Sequence, residues 1–328
     1  MTLKKILRPL TRKVKMILHY FRYFQVSENV RMYNWVNPPA PQDLWLAQFI
    51  KARNLLPKNK KMAIFSVFGL RIMMKFNRSD YKIFVPRENL HRSNWQHYDD
   101  LLLNEKWVDL VVGFDYTERE NYIRFPLWLM WIFKPTDTYR DIKQICDRIN
   151  NPHNSSYTDR KFCAFLSSHD DIGRQEIFDE LSTVGRIDCD GRLFHNNDDL
   201  KTKFGDDKLA YLRNYRFNLC PENSDAEGYC TEKLFEAIFS GCTPIYWGSG
   251  FCPEPDVLNQ NAILFVKIGK NEKNEDAIKQ INQLNISEKD YLDFARQSRF
   301  SDNAPDIIWN YFEKLEEKLR KNLCQNRN

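Results

Sequence analysis

The chain has 328 residues, of which 42% are apolar, 14% aromatic and 28% charged, and its formal net charge is +5. This length and composition fit a folded protein with room for two domains, or one large one, and exclude a disordered chain. The positive excess is too mild and too dispersed for a nucleic-acid-binding surface, and no apolar run reaches the length that spans a bilayer.

Residues 1–36 form a basic segment. Lys4, Lys5, Arg8, Arg12, Lys13, Lys15 and Arg22 precede the first acid, Glu28, while Leu10, Val14, Ile17, Phe21 and Phe24 recur at three- or four-residue steps. A helix starting near Pro9 would carry an apolar stripe beside a basic face. That pattern suits peripheral contact with an anionic membrane, or a helix packed on the protein with its charges in water. Neither an apolar h-region nor a small-residue cleavage site marks a signal peptide.

The run Asn37-Pro38-Pro39-Ala40-Pro41 breaks the chain and opens a first domain over 37–150. Lys61–Phe68, Tyr81–Pro86 and Val108–Phe114 read as buried strands with helical stretches between them, the pattern of a parallel α/β sheet. The polar stretch 147–160 reads as a linker into a second α/β domain over 151–328. There, strands are predicted at Phe162–Leu166, Asn218–Cys220, Thr243–Trp247 and 261–266. Helices are predicted at Arg174–Leu181 and Thr231–Ser240, the latter closed by Gly241, and at Glu275–Leu284, Ser287–Ser298 and Pro305–Asn322.

None of the eight cysteines forms a CxxC pair, and no histidine stands beside them at ligand spacing, which argues against zinc. Six lie between Cys163 and Cys252 in apolar segments, as reduced buried thiols would, and this usage points to a reducing cytoplasm.

The most informative stretch is 217–250, FNLCPENSDAEGYCTEKLFEAIFSGCTPIYWGSG. A polar turn leads to Thr231-Glu232-Lys233 at the start of an apolar helix. A helix start offers unpaired N–H groups and a partial positive charge, which suit phosphate. Thr231 can cap it, Lys233 adds a full charge, and Glu232 can accept hydrogen bonds from paired sugar hydroxyls. An ordinary strand–helix–strand unit with a solvated Glu-Lys pair would read the same way on helix physics alone.

Phe217, Leu219, Glu222-Asn223, Tyr229-Cys230-Thr231-Glu232-Lys233 and the Pro244–Gly248 stretch together resemble the donor-binding signature of the family 10 fucosyltransferases, the α-1,3/4-fucosyltransferases that take fucose from GDP-fucose. The resemblance implies a GT-B fold: two Rossmann-like α/β domains facing a central cleft, with C-terminal helices. It also implies that Asn223 and Tyr229 position the pyrophosphate and nucleoside, that Glu232 binds ribose hydroxyls and that Lys233 binds phosphate. Residues 161–192 are similar to the segment that opens the family's donor domain, and Arg192 stands where the family places an arginine on the pyrophosphate. Arg174, inside a helix start, is the second choice for that role.

Residues 84–115 resemble the family's acceptor-side segment through Glu88-Asn89 and Gly113-Phe114-Asp115. The resemblance gives Glu88 the role of general base, at the carboxyl end of a strand. Pro86-Arg87 precede it where the family has small residues, and Glu88 could instead pair with Arg87 or Arg92. His91, Trp95 and His97 are candidates for the acceptor groove, and an imidazole could also serve as base. Asp188-Cys189-Asp190 has the Asp-x-Asp form that holds a metal in the other large glycosyltransferase fold. The resembled family instead holds its donor with basic residues and a helix end, so no metal or other cofactor is expected.

These readings converge on an inverting α-1,3- or α-1,4-fucosyltransferase. It would move L-fucose from GDP-fucose to N-acetylglucosamine of an N-acetyllactosamine-type glycan, such as an oligosaccharide or glycolipid of lipopolysaccharide. The implied location is the cytoplasm, or the inner face of its membrane. Transfer from another nucleotide sugar such as GDP-mannose, or a glycan-binding homologue without turnover, stand as alternatives.

Overall fold

A computed structural model of the protein describes residues 23–36, 39–56, 59–98, 107–151, 156–170 and 172–324. These divide into two compact units. The first runs to Phe125 and includes Lys134–Thr136 and the chain from Tyr311 on; the second comprises Pro126–Phe133 and Asp137–Asn310.

Among the described residues, the first unit holds a six-stranded sheet whose strands follow chain order: β1 (Tyr23–Ser27), β2 (Val30–Tyr33), β3 (Met62–Phe65), β4 (Tyr81–Phe84), β5 (Leu110–Gly113) and β6 (Tyr122–Arg124). β1 and β2 form an antiparallel hairpin, and every pairing from β2 to β6 is parallel. All four residues of β3 are buried, and so are all four of β5. That is why these strands read as unbroken apolar runs: a parallel sheet is covered on both faces. Two short helices belong here, α1 (Trp45–Ala52) and α2 (Ile72–Phe76). Tyr98 sits at 0% exposure under the β4 side, its hydroxyl donating to the carbonyls of Val67 and Gly69.

The second unit contains α3 (Leu127–Ile132), α4 (Tyr139–Ile149), β7 (Lys161–Phe165), α5 (Gln175–Ser182), β8 (Ile187–Asp188), α6 (Asp199–Thr202), α7 (Lys208–Leu212), β9 (Tyr215–Leu219), α8 (Glu232–Ser240), β10 (Thr243–Tyr246), β11 (Leu264–Phe265), α9 (Glu275–Ile286) and α10 (Glu288–Ala295). Its five strands are all parallel in the order β11-β10-β9-β7-β8. Phe162, Phe165, Phe217, Leu219 and Ile245 carry the core of that sheet. α8 ends at Gly241, which takes the left-handed conformation at φ 76°.

The last helix is α11 (Ala304–Cys324), whose residues from Tyr311 on belong to the first unit. Its Phe312 packs against Trp45, Phe49 and Phe125 within the first unit.

The predicted buried strands and the predicted helices of the second unit are present: β3, β4, β5, β10 and β11 are shorter than predicted, β7 is shifted by one residue, and β9 starts three residues earlier than the predicted Asn218. The boundaries between units fall elsewhere than 150/151. α4, opened by a capping box between Thr138 and Asp141, already belongs to the second unit. Asn150 anchors it there: its amide donates to the Phe300 carbonyl and its Oδ1 accepts from the N–H groups of Arg299 and Phe300. The polar stretch 147–160 is therefore not a connection between units, and Tyr157 within it donates to the Asn285 carbonyl at 2.6 Å. The basic N-terminal helix falls on residues outside the described ones, apart from Phe24, which lies in β1. Six of the seven cysteines with described side chains are buried and free, and Cys252 is exposed. Burial pushes the Cys146 and Cys189 thiols up to about 12.

Candidate active site

A parallel sheet offers a ligand crevice where its strand order reverses, beyond the carboxyl ends of the two diverging strands. In the second unit the reversal lies between β7 and β9. The loops leaving those strands carry Leu166-Ser167 and Cys220-Pro221-Glu222. A cavity of about 30 Å³ opens there, lined in part by Ser167, Arg174, Asn218, Lys233 and Glu236. Asn218 is 5% exposed, and its Oδ1 meets no hydrogen-bond donor among the described residues.

Glu222 organises this place, a role that sequence reading did not give it. It is completely buried, and its two oxygens accept from four donors. Oε1 accepts from the Thr231 N–H at 2.7 Å and the Tyr246 hydroxyl at 3.3 Å. Oε2 accepts from the Thr231 hydroxyl at 2.7 Å and from Lys233 Nζ at 3.2 Å. These four bonds match the capacity of an ionised carboxylate. Gly248 makes room for it: a Cβ there would stand 2.8 Å from Glu222 Cγ, and its φ of 135° disfavours any side chain.

The clamp changes what Thr231 does. Thr231 occupies the N-cap position of α8 but makes no side-chain cap, because its hydroxyl is given to Glu222 and accepts from Lys233 Nζ at 2.9 Å. α8 thus begins without a Thr231 side-chain cap, and a helix start is a place that suits an anion. Burial alone would lower the pKa of Lys233, but Glu222, then Glu232 and Tyr229, outweigh it and hold the ammonium well above its ordinary range. Lys233 remains a cation with 23% of its side chain exposed, and Glu232 lies 3.7 Å from it. Tyr229 is 2% exposed, and its carbonyl accepts from Ser249 Oγ at 2.6 Å.

Arg174, the second choice in the sequence, is built into the same network. It is 3% exposed, and its guanidinium donates to Ser167 Oγ, the His169 carbonyl, the Glu222 carbonyl at 3.0 Å and Asn223 Oδ1 at 3.4 Å. Asn223 is thereby positioned by Arg174. Arg192 is exposed, in a turn pressed onto the same loop. The Leu193 N–H donates to the Ser167 carbonyl at 3.0 Å, and a Cβ on Gly191 would stand 2.0 Å from that oxygen. Backbone lies where any side chain would go, so the turn carrying Arg192 needs glycine at 191.

The Asp-x-Asp carboxylates are occupied by protein donors. Asp188 accepts from Lys161 at 2.8 Å, Arg186 at 2.7 Å and the Tyr215 hydroxyl at 2.9 Å. Asp190 accepts from Asn197 at 3.0 Å, the Leu200 N–H at 2.7 Å and the Tyr211 hydroxyl.

In the first unit the acceptor-side candidates follow β4 and β5. Glu88 is half-buried, four residues past the end of β4. Arg87 pairs with Asp43 at 2.7 Å. His91 Nε2 lies 2.5 Å from Asp115 Oδ1, and the Tyr122 hydroxyl donates to Asp115 Oδ2 at 3.0 Å. The sequence showed His91 and Asp115 in one resembled segment but not their contact across 24 residues of chain. Trp95 stacks edge-on against Phe68, and the exposed His97 ring lies 4.4 Å from that of Tyr98.

Two α/β units with parallel sheets, one carrying a cationic cradle at its switch point, define the GT-B class of glycosyltransferase folds. The chain belongs to glycosyltransferase family 10. Residues 155–325 match the family model described as glycosyltransferase family 10 (fucosyltransferase) C-term, and residues 30–131 match that of the alpha-(1,3)-fucosyltransferase FucT N-terminal domain. It is 28% identical over 218 residues to the alpha-(1,3)-fucosyltransferase FucT of Helicobacter pylori, covering 58% of this chain and 43% of that protein. It is 27% identical over 251 residues to the alpha-(1,3)-fucosyltransferase B of Drosophila melanogaster, covering 68% of this chain and 50% of that one. The chain therefore spans half or less of these relatives' lengths. A crystal structure of an α1,3-fucosyltransferase shares the fold at a TM-score of 0.55 and 20% identity, covering 94% of this chain and 97% of that one. Another, with GDP, gives a TM-score of 0.53 at 20% identity, covering 90% and 93%.

Proposed function

We propose that the protein transfers L-fucose from GDP-fucose, with inversion, to a hydroxyl of N-acetylglucosamine in an N-acetyllactosamine-type oligosaccharide or glycolipid, forming an α-1,3 or α-1,4 bond. The observation that supports this reading best is the Glu222–Thr231–Lys233 clamp, which takes up the Thr231 hydroxyl and sets the Lys233 ammonium at the start of α8, at the switch point within the family 10 segment. The acceptor oxygen attacks the anomeric carbon of fucose, and the bond from that carbon to the β-phosphate oxygen breaks. Glu88 takes the proton of the attacking hydroxyl. Lys233, Arg192 and the α8 start neutralise the charge gathering on departing GDP, with Arg174 and Asn223 holding the cradle's shape and Glu232 and Tyr229 placed for the nucleoside. Removing one such electrostatic contact commonly costs about 3 to 4 kcal/mol of barrier. We assign this chemistry no metal, because the Asp188 and Asp190 carboxylates are taken up by Lys161, Arg186 and their other protein donors. We place the enzyme on the cytoplasmic face of a membrane, on the strength of its basic N-terminal sequence.

The test is GDP release from GDP-fucose, GDP-mannose or UDP-galactose, with and without N-acetyllactosamine, in EDTA. Release that needs both GDP-fucose and acceptor is the expected result. Turnover with another donor, or a requirement for added metal, would overturn the fucose or the metal-free assignment respectively.

A further inference from the structure

Asn218 puts an amide inside a buried parallel strand, where apolar side chains are the rule and asparagine is depleted. It lies in β9 between Ala164 of β7 and Pro244 of β10, and it is 5% exposed. Its neighbours Phe217 and Leu219 belong to the core cluster of this unit, so Asn218 faces the other side of the sheet. There it lines the cavity of about 30 Å³ at the switch point, with Ser167, Arg174, Lys233 and Glu236.

The other polar side chains of that wall are engaged with protein. Ser167 Oγ donates to the His169 carbonyl at 3.1 Å and accepts from Arg174. Glu236 accepts from Lys208 Nζ at 3.1 Å, and Lys233 donates to Glu222 and Thr231. Asn218 makes no side-chain hydrogen bond among the described residues, and its Oδ1 is buried. Alanine and proline at the paired positions have no side-chain group to offer it. An unpaired buried amide destabilises the free protein, and folded interiors rarely keep one without a use.

The size of the cavity narrows what that use is. A single water needs about 10 to 15 Å³, so about 30 Å³ admits a group of one or two heavy atoms. A phosphate or a nucleobase ring does not fit, whereas a hydroxyl does. A hydroxyl also matches an amide chemically, since each can both donate and accept. Resting on the reading of the cradle as the GDP-fucose site, we propose that Asn218 is a further donor-binding residue. Its amide exchanges hydrogen bonds with a hydroxyl of the nucleotide sugar, on the ribose or on the fucose.

Calorimetry on the full chain in EDTA, with GDP and with GDP-fucose, tests this by comparing wild type with Asn218→Val and Asn218→Ala. Thermal unfolding of the free proteins is read alongside. Both variants are expected to bind GDP-fucose about tenfold more weakly, the scale of lost polar pairing. Asn218→Val should be at least as stable as wild type when free, because it removes an unpaired buried group and suits a strand. A parallel loss of GDP affinity assigns the hydroxyl to the ribose; a loss confined to GDP-fucose assigns it to the fucose. Unchanged affinity for both ligands would overturn the proposal. So would weaker binding that comes with a lower unfolding temperature in both variants, which would make Asn218 part of the scaffold. Wild type that binds neither ligand would contradict the donor reading itself and this inference with it; wild type that binds both, with variants that bind equally well, contradicts the inference alone.

Discussion

The donor cradle and the acceptor-side loops solve different problems with similar residues. In the cradle the organising groups are locked before any ligand arrives: Glu222 is 0% and Arg174 3% exposed, and each makes at least four hydrogen bonds. On the acceptor side the His91 side chain is 45% exposed, with Asp115 as its ionic partner. On the proposed function the cradle's ligand would be a nucleotide diphosphate, and a preformed, desolvated site suits it. On the same proposed function, an acceptor glycan would rest on a few open side chains, where one loop residue can change what binds. The contrast predicts that substitutions in the cradle harm stability and turnover together, whereas those on the acceptor side harm turnover alone.

The sharpest way to break that contrast is Glu88→Gln, expected to lower turnover about 100- to 10,000-fold, as for loss of a general base. GDP affinity and thermal stability should not change. A fall in either would show that Glu88 belongs to the scaffold. Lys233→Ala should lower kcat about 100- to 1,000-fold. Because it strands Glu222 in the interior, it should also cost about 3 to 5 kcal/mol in urea unfolding. Glu222→Ala should give a similar loss of stability with folded protein that binds GDP poorly, read from the same unfolding curves and from calorimetry. Asp115→Asn should reduce kcat/KM for acceptor about tenfold, with donor affinity intact, since it loosens one charged hydrogen bond to His91.

The smallest expected effect concerns pH and involves neither site. Burial would raise the Asp188 carboxyl, but Lys161, Arg186 and Tyr215 outweigh it and hold it below the usual carboxylate range. A depressed folded value means that the unfolded chain binds the proton more readily. Its stabilising contribution is therefore full above the unfolded value near about 3.9 and is lost as pH falls through the folded one. Asp188→Asn should flatten the acid limb of the stability curve below about pH 4. An unchanged limb would contradict this account of the Asp-x-Asp pair.

What could be read in the sequence follows the same division. The switch-point strands and α8 were legible because parallel strands and an apolar helix stop leave periodic signals ended by Gly241 and Gly248. β6, β8 and the β1–β2 hairpin were not: β1 alternates exposed and half-buried residues, and β6 and β8 span only three and two residues without an apolar run around them. Lys233 and Glu232 stood out as charges at a helix start. Glu222 stands within the motif without a legible role, because nothing local distinguishes a buried carboxylate from a solvated one. Its four donors come from Thr231, Lys233 and Tyr246, up to 24 residues away. Arg174 was placed behind Arg192 for the same reason: its worth lies in the loops of two other strands. His91 looked like a lone histidine until β5 brought Asp115 beside it.

The central claim is that the Glu222–Lys233 network is a preformed cradle for GDP, and calorimetric titration of GDP into wild type and Lys233→Ala tests it most directly. The account predicts binding to wild type in EDTA and at least a tenfold loss in a folded Lys233→Ala variant. Equal affinity in the two proteins would contradict it.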